Sequence, residues 1–361
     1  MANQGRNRNI ILTNDNRLLN ITLGIVLIIL MVWLLIIGRT IILPFMIAVF
    51  LALVLDPVVN LMTGWKIPQS IAVFLTLAIS FLILYLLGML VYANVQLFVN
   101  QFPEYESRLY HIISQFTQQF EAFFGKPLNI QLWKQIDWLD TLQRFSIART
   151  VLSSVGTFVT FILKTIIVII FIAYLLNGMR TLSTKIEAAF PPNQARQIIS
   201  IIDKVTRQVQ KYLGAKTLVS LVTGIISIAI FYAFGLDFAV FWGFLIFLFN
   251  FIPTIGSAFA SLLPVVFSFL QFGSFSTAFW ILFSLTLLQQ AMGNIVEPRL
   301  MGRTLNLSPL MVILFLIFWG YIWGVVGLIL AVPILGTLTI IFENFDSLKF
   351  ISVFFRGSQS K

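Results

Sequence analysis

The sequence predicts an all-α polytopic membrane protein of about eight membrane segments, two of them interrupted helical hairpins, plus a small helical extramembrane domain. Three observations carry that expectation. Of 361 residues, 59% are hydrophobic and 10% charged, with mean hydropathy +0.98; a water-soluble domain of this length could not cover so much apolar surface. The apolar residues gather in runs of membrane-crossing length, separated by short polar or basic stretches. Two runs, residues 238–270 and 310–341, are too long for one span. Either as a single helix would measure roughly 48 Å, against a hydrocarbon core of about 30 Å. The first breaks at Asn250-Phe-Ile-Pro253-Thr-Ile-Gly256, the second at Gly320-Tyr-Ile-Trp-Gly324-Val-Val-Gly327, with Pro333 following. Gly and Pro are poor interior helix residues, so each run is read as a hairpin folded at its break.

In chain order, residues 1–17, with Arg6, Arg8 and Arg17, have the composition of a disordered cytoplasmic tail. Residues 18–93 hold the first membrane segments, with a turn at Gly38-Arg39-Thr40 and a loop around Gly64 and Lys66. Asp56 falls near the end of the second span, as a headgroup-level residue or as a cation or proton ligand. Residues 94–153 change character: their charges balance, and Phe116, Phe120, Phe123 and Phe124 recur at helical spacing. An extracytoplasmic helical domain is expected there, its aromatics used for packing or, alternatively, for a ligand. Residues 154–177 form a span containing Lys164, which either snorkels to the interface or faces a water-filled pathway.

Residues 178–215 are a basic helical connection divided by Pro191-Pro192-Asn193, with Ile198, Ile201, Ile202, Val205 and Val209 on one face of its second part. That face suits an anionic cytoplasmic surface or the underside of the bundle. Residues 216–342 form the membrane core, in which a span precedes each hairpin, and residues 343–361 are a mixed, then basic, cytoplasmic tail.

The formal net charge of +10 comes from basic residues in short segments between apolar runs. That pattern sets orientation in a bilayer rather than nucleic-acid binding. Placing the basic segments inside puts both termini in the cytoplasm of a multi-pass protein of the cell (inner) membrane, with residues 94–153 outside. There is no cysteine and one histidine, His111, which rules out disulfides and a two-histidine zinc site; no metal and no cofactor are expected. The sequence has no Walker motif, no H-E-x-x-H and no G-x-S-x-G, so neither ATP hydrolysis nor an intramembrane enzyme is expected.

With that orientation the first hairpin enters from outside and the second from the cytoplasm. Inverted, interrupted segments are how many secondary transporters build a midplane site. The pathway candidates are Asn250, Pro253 and Gly256 at the first break; Gln290, Asn294, Glu297 and Arg299 around the polar island between the two long runs; Gly324 and Gly327 at the second break; and Asp56 and Lys164. Glu297 is alternatively a plain loop residue paired with Arg299 or Arg303, and the glycines alternatively only let helices approach closely. The expected partners are a small-molecule or ion substrate and the lipid bilayer; a homo-oligomer is compatible with the sequence. A sodium(lithium)/proton antiporter and a non-transporting scaffold are the alternatives to a solute transporter.

The ordered set Asn250-Phe-Ile-Pro-Thr-Ile-Gly256, Gly293-Asn-Ile-Val-Glu297-Pro298-Arg299-Leu-Met-Gly302-Arg303, Leu307-Ser-Pro309-Leu310 and Trp319-Gly-Tyr-Ile-Trp-Gly324-Val-Val-Gly327-Leu-Ile-Leu-Ala-Val-Pro333 resembles the autoinducer-2 exporter family of PerM-like permeases. The resemblance implies a bacterial-type inner-membrane permease. It implies export of an autoinducer-2-like solute or, for some members, sodium–proton exchange, and it marks these positions as motif residues without assigning them roles.

Overall fold

The computed structural model describes residues 5–124, 155–253, 255–301 and 307–357. Its helices are α1 (Gly5–Ile37), α2 (Arg39–Gly64), α3 (Gln69–Phe124), α4 (Val155–Ala189), α5 (Pro192–Phe234), α6 (Ala239–Phe249), α7 (Ile255–Phe272), α8 (Phe275–Ala291), α9 (Glu297–Met301), α10 (Pro309–Asn344) and α11 (Lys349–Phe355). A π turn, Met292–Val296, joins α8 to α9, and a 3-10 turn, Asp346–Leu348, precedes α11. Among the described residues six helices are long and apolar enough to cross a membrane, or seven with α4, which bends by 64° between Met179 and Thr181. The chain is an all-α polytopic membrane protein. Exposed apolar side chains such as Leu27, Ile28, Phe74 and Leu84 are of the kind a bilayer covers.

Two contacts define two ends of the bundle. α2 runs from the Gly38 turn to Gly64, and Gln69 Nε2 donates to the Leu176 carbonyl at 3.4 Å, which puts that part of α4 at the Gly64 end. Gln210 Nε2 of α5 donates to Asp56 Oδ2 at 3.1 Å. α5 therefore climbs from the Gly64 end and closes at the Gly38 end on Gly235, in the left-handed region at φ 70°.

Both overlong runs fold as hairpins. In the first, α6 and α7 lie side by side, with Trp242 and Phe267 ring centroids 5.4 Å apart. Its base is tied to the Gly38 end, where Gln271 Nε2 donates to the Gly235 carbonyl and Gln271 Oε1 accepts from Asp237 N, both at 2.9 Å. In the second, α10 reverses at Gly324 (φ 64°, ψ −142°), a conformation open essentially to glycine alone. Phe315 on one arm and Phe342 on the other both pack on Phe355, with centroids 5.7 and 5.6 Å away. In one straight helix they would stand about 40 Å apart. The base of this hairpin lies toward the start of α5, where Gln197 Nε2 donates to the Asn344 carbonyl at 3.3 Å. Its tip reaches the Gly38 end, where Trp323 Nε1 donates to the Leu35 carbonyl at 3.5 Å. The hairpins enter from opposite ends.

Several boundaries differ from those read in the sequence. Residues 5–17 are helical and continuous with the first span, because extending an existing helix costs far less than nucleating one. The segment expected as a separate domain from residue 94 begins as the uninterrupted continuation of α3, through Pro103 to Phe124. There buried Tyr105 stacks among Phe98, Phe238 and Phe267, and its remainder to residue 153 lies outside the described residues. The basic connection and the fifth span meet inside one helix, α5, with no break at residue 215. Pro191–Pro192 does start that helix, since proline suits a first turn whose N–H groups have no helical partners. The tail after residue 343 folds back: Ser308 N donates to the Phe355 carbonyl at 2.8 Å, and Arg356 Nε bonds Glu343 Oε1.

Candidate functional site

Polar side chains converge on one stretch of α5. Lys216, Ser220, Thr223 and Ser227 recur at spacings of four, three and four, which places them on one helix face. All four are buried; Lys216 is only 4% exposed. Lys216 Nζ donates to both carboxylate oxygens of Glu297, at 2.8 and 2.9 Å. Measured along α5, Lys216 lies about 9 Å deeper than Gln210, toward the middle of the bundle. An ammonium there needs its counter-charge, because an unpaired buried ion costs several kcal/mol, of order 3–5, once its partner is removed.

The π turn delivers that counter-charge. Pro298 follows Glu297 and has no N–H to close on the Asn294 carbonyl. The preceding turn widens to π geometry over Met292–Val296, a local change often found at functional positions. Arg299, two residues on, points away around the helix and is exposed. In place of the alternative pairing with Arg299, Glu297 pairs with Lys216, and Arg303 lies outside the described residues.

One turn beyond Lys216, Ser220 Oγ accepts from Asn250 Nδ2 at 3.1 Å. Asn250 is buried at the C-terminal end of α6, a helix of 11 residues and so about 16 Å. The first tip therefore ends well inside the bundle. Pro253 sits half-buried in the break. Gly256 closes it: a Cβ there would lie 1.9 Å from the Phe249 carbonyl oxygen.

Of the residues singled out in the sequence, the structure thus joins Glu297 to Lys216 and Asn250 to Ser220, with Pro253 and Gly256 in the break that follows Asn250. Gln290 and Asn294 are exposed on α8 and the π turn, with Asn294 Nδ2 donating to Gln290 Oε1. Asp56 stands nearer the Gly64 end, held by Asn60 Nδ2 at 3.0 Å and by Gln210. Gly324, Gly327 and Lys164 lie away from this cluster, toward the Gly38 end, where Lys164 and Gly324 line a cavity of about 1250 Å³. Gly327 meets the Trp319 carbonyl oxygen as Gly256 meets that of Phe249, at 1.9 Å from an added Cβ. Buried Gln289 Nε2, Trp242 Nε1, Ser261 Oγ and Trp319 Nε1 have no hydrogen-bond partner among the described residues. No group of three or more metal-ligating side chains occurs among the described residues.

Sequence reasoning missed Lys216 and Ser220. The signal was available: a lysine at the mouth of an apolar run, followed at helical spacing by Ser220, Thr223 and Ser227, marks a polar face entering a membrane helix.

Two broken hairpins inserted from opposite ends of an all-helical bundle, one tip resting beside a buried ion pair, make up the architecture of a membrane transporter. The chain belongs to the family described as AI-2E family transporters, whose model matches residues 23–347. Among its relatives, a putative transport protein of Borreliella burgdorferi is 29% identical over 317 residues, covering 88% of this chain and 84% of that protein. The AI-2 transport protein TqsA of Escherichia coli is 29% identical over 307 residues, covering 84% and 86%. A putative transport protein of Haemophilus influenzae is likewise 29% identical, over 304 residues, covering 84% and 86%.

Proposed function

We propose that this transporter is a secondary exporter of a small polar solute of the autoinducer-2 kind, working by alternating access and driven by an ion or solute gradient. The Lys216–Glu297 pair, one turn from the Asn250–Ser220 contact, carries the reading. A buried ion pair beside an unwound hairpin tip is a two-state element. When a proton or cation takes Glu297, Lys216 is left as an unpaired buried cation, and the packing of α5 against α9 is no longer favoured. Backbone groups at the Asn250–Gly256 break then serve as ligands, since unwound backbone at membrane depth is tolerated where it lines a cavity. Asp56, held by Gln210 of α5, lies on the Gly64 side of this pair, and the Gly324–Gly327 tip closes the opposite end. The net basic connecting segments support a reading in which the Gly64 end and both termini face the cytoplasm of an inner-membrane protein, with the distal part of α3 outside.

The name of TqsA supports the solute class. A second reading, sodium(lithium)/proton antiport, is favoured by Glu297 itself, a carboxylate on a buried lysine that a cation or proton would compete for.

Reconstitution into proteoliposomes separates the readings. Export is expected as autoinducer-2 movement that Glu297→Gln reduces by at least an order of magnitude, the scale of losing one charge-assisted pair. Pyranine-reported proton flux on adding sodium, without autoinducer-2 movement, selects antiport. Full solute transport by Glu297→Gln removes the coupling role, and no flux of either kind points to the scaffold role.

A further inference from the structure

We propose that the cavity at the tip of the second hairpin binds an anionic phospholipid, with Arg39 and Lys164 holding its phosphate-bearing headgroup and the wall of α3 bedding an acyl chain. The cavity, about 1250 Å³, opens between α2, α3, α4 and the Gly324 tip. Among the described residues its charged lining is Arg39 and Lys164, with no carboxylate, and neither cation forms an ion pair with another described residue. Two cations without a counter-charge at membrane depth call for an anion.

The walls specify an anion with a long apolar body. Phe81, Leu84 and Met89 line the cavity yet are more than half exposed, at 54%, 64% and 53%. The space is therefore open sideways, toward the surface a bilayer covers. Tyr85, Tyr92 and Tyr321, exposed at 56%, 56% and 85%, ring the same cavity; tyrosine collects where headgroups meet hydrocarbon. Arg39 follows directly on the α1–α2 turn and so stands at headgroup depth. Lys164, farther along its helix from the membrane surface, reaches that level through its four-carbon stem. A free phosphate would bury itself against apolar walls for two contacts; a phospholipid fills both halves of the site. A zwitterionic headgroup would bring its own ammonium against two cations, so charge selects an anionic lipid. The occupant would touch Gly324, where α10 reverses, and the inference holds whichever solute the protein carries.

Native mass spectrometry of the full chain, titrated with phosphatidylglycerol and with phosphatidylcholine of the same acyl chains, tests this. A photoreactive phosphatidylglycerol maps the contact. Preferential retention of phosphatidylglycerol is expected, with adducts on α3 residues 81–92 and at the Gly324 tip. Each lost cation should weaken retention about fivefold, and Arg39→Gln/Lys164→Gln on the order of thirtyfold; Lys164→Arg should bind within about twofold of wild type. Equal retention of the two lipids, a folded double variant that binds like wild type, or adducts confined to other helices would each overturn the proposal. Displacement of phosphatidylglycerol by millimolar inorganic phosphate would also overturn it, by making the ligand a free anion. If the double variant does not fold, Lys164→Gln decides the matter through its fivefold expectation and the adduct map.

Discussion

The two hairpin tips are built on one plan and held in different ways. In each, a glycine packs against a carbonyl seven or eight residues earlier, Gly256 on Phe249 and Gly327 on Trp319, so closely that a Cβ would fall 1.9 Å from the oxygen. The first tip is then pinned by a buried side-chain hydrogen bond, Asn250 to Ser220, one turn from the Lys216–Glu297 pair. The second has a backbone conformation reserved for glycine at Gly324, one long hydrogen bond from Trp323, and exposed Tyr321 and Val325 beside an open cavity. Close backbone packing makes a hairpin; polar side chains decide how firmly its tip is fixed in the bundle. On this comparison the first tip is the more firmly anchored of the two and the second the more exposed.

The largest expected effect tests the anchor. Lys216→Met leaves Glu297 without its buried partner and should cost about 3–5 kcal/mol of stability, read by chemical denaturation in detergent. Lys216→Met/Glu297→Leu should recover most of that loss, because an apolar pair of similar volume is often neutral, while transport stays abolished. A double variant as unstable as the single one would mean that the first tip is not held by a desolvated ion pair.

Next come the shared elements. Gly256→Ala and Gly327→Ala each drive a methyl group into a carbonyl, and overpacking of this kind costs about 1–3 kcal/mol or more. Equal losses sharpen the view of one plan used twice; a loss at one position alone breaks it. Gly324→Ala meets no atom within 4 Å, so only the strained backbone opposes it, at roughly 1–3 kcal/mol. Its loss in thermal unfolding temperature should be near or below that of the two packed glycines.

The polar bonds at the tips separate further. Asn250→Ala leaves Ser220 Oγ buried and should cost about 1–3 kcal/mol. Trp323→Phe loses a 3.5 Å contact and should cost less, about 0.5–1.5 kcal/mol, the ordinary net worth of one hydrogen bond. The reverse order would move the anchor to the second tip.

How much of this was legible in the sequence follows from the range of each interaction. The hairpins were legible because they rest on local facts: runs longer than a bilayer is thick, with glycine and proline at their middles. Their opposite entry was legible from the charges of the connecting segments, which a bilayer sorts. The partner of Glu297 was not. Arg299 is near in sequence but faces away, and Lys216 lies 81 residues upstream, brought into place by a π turn whose extra residue no periodicity announces. Lys216 also sits where a basic amphipathic stretch passes into an apolar one inside a single helix, and a reading that divides the chain by composition steps over it. The packing of Tyr105 on the first hairpin was hidden for a related reason. Beyond residue 98 the composition of α3 turns polar, yet the same helix runs on and docks.

The bases of the hairpins extend the comparison to pH. At the first, Tyr105 donates to Asp237 Oδ2 at 2.7 Å. Burial, then that hydrogen bond, holds the Tyr105 phenol well above its ordinary range. A raised pKa favours the protonated form in the folded state. The stability it contributes is therefore whole below the unfolded phenol value of about 10 and is lost as pH rises above it. At the second base, the hydrogen bond from Arg356 to Glu343 raises the guanidinium further, so alkali leaves that contact charged and intact. Amide hydrogen exchange, corrected for its intrinsic pH dependence, should show protection around Gly235–Ala239 falling at strongly alkaline pH while Phe345–Arg356 keeps its own. Tyr105→Phe should abolish the difference at a cost of about 1.5–3 kcal/mol, the worth of a hydrogen bond to a charged group. If both bases loosen together in alkali, the Tyr105–Asp237 bond is not what holds the first hairpin to α3, and the aromatic packing of Phe98, Phe238 and Phe267 carries that contact alone.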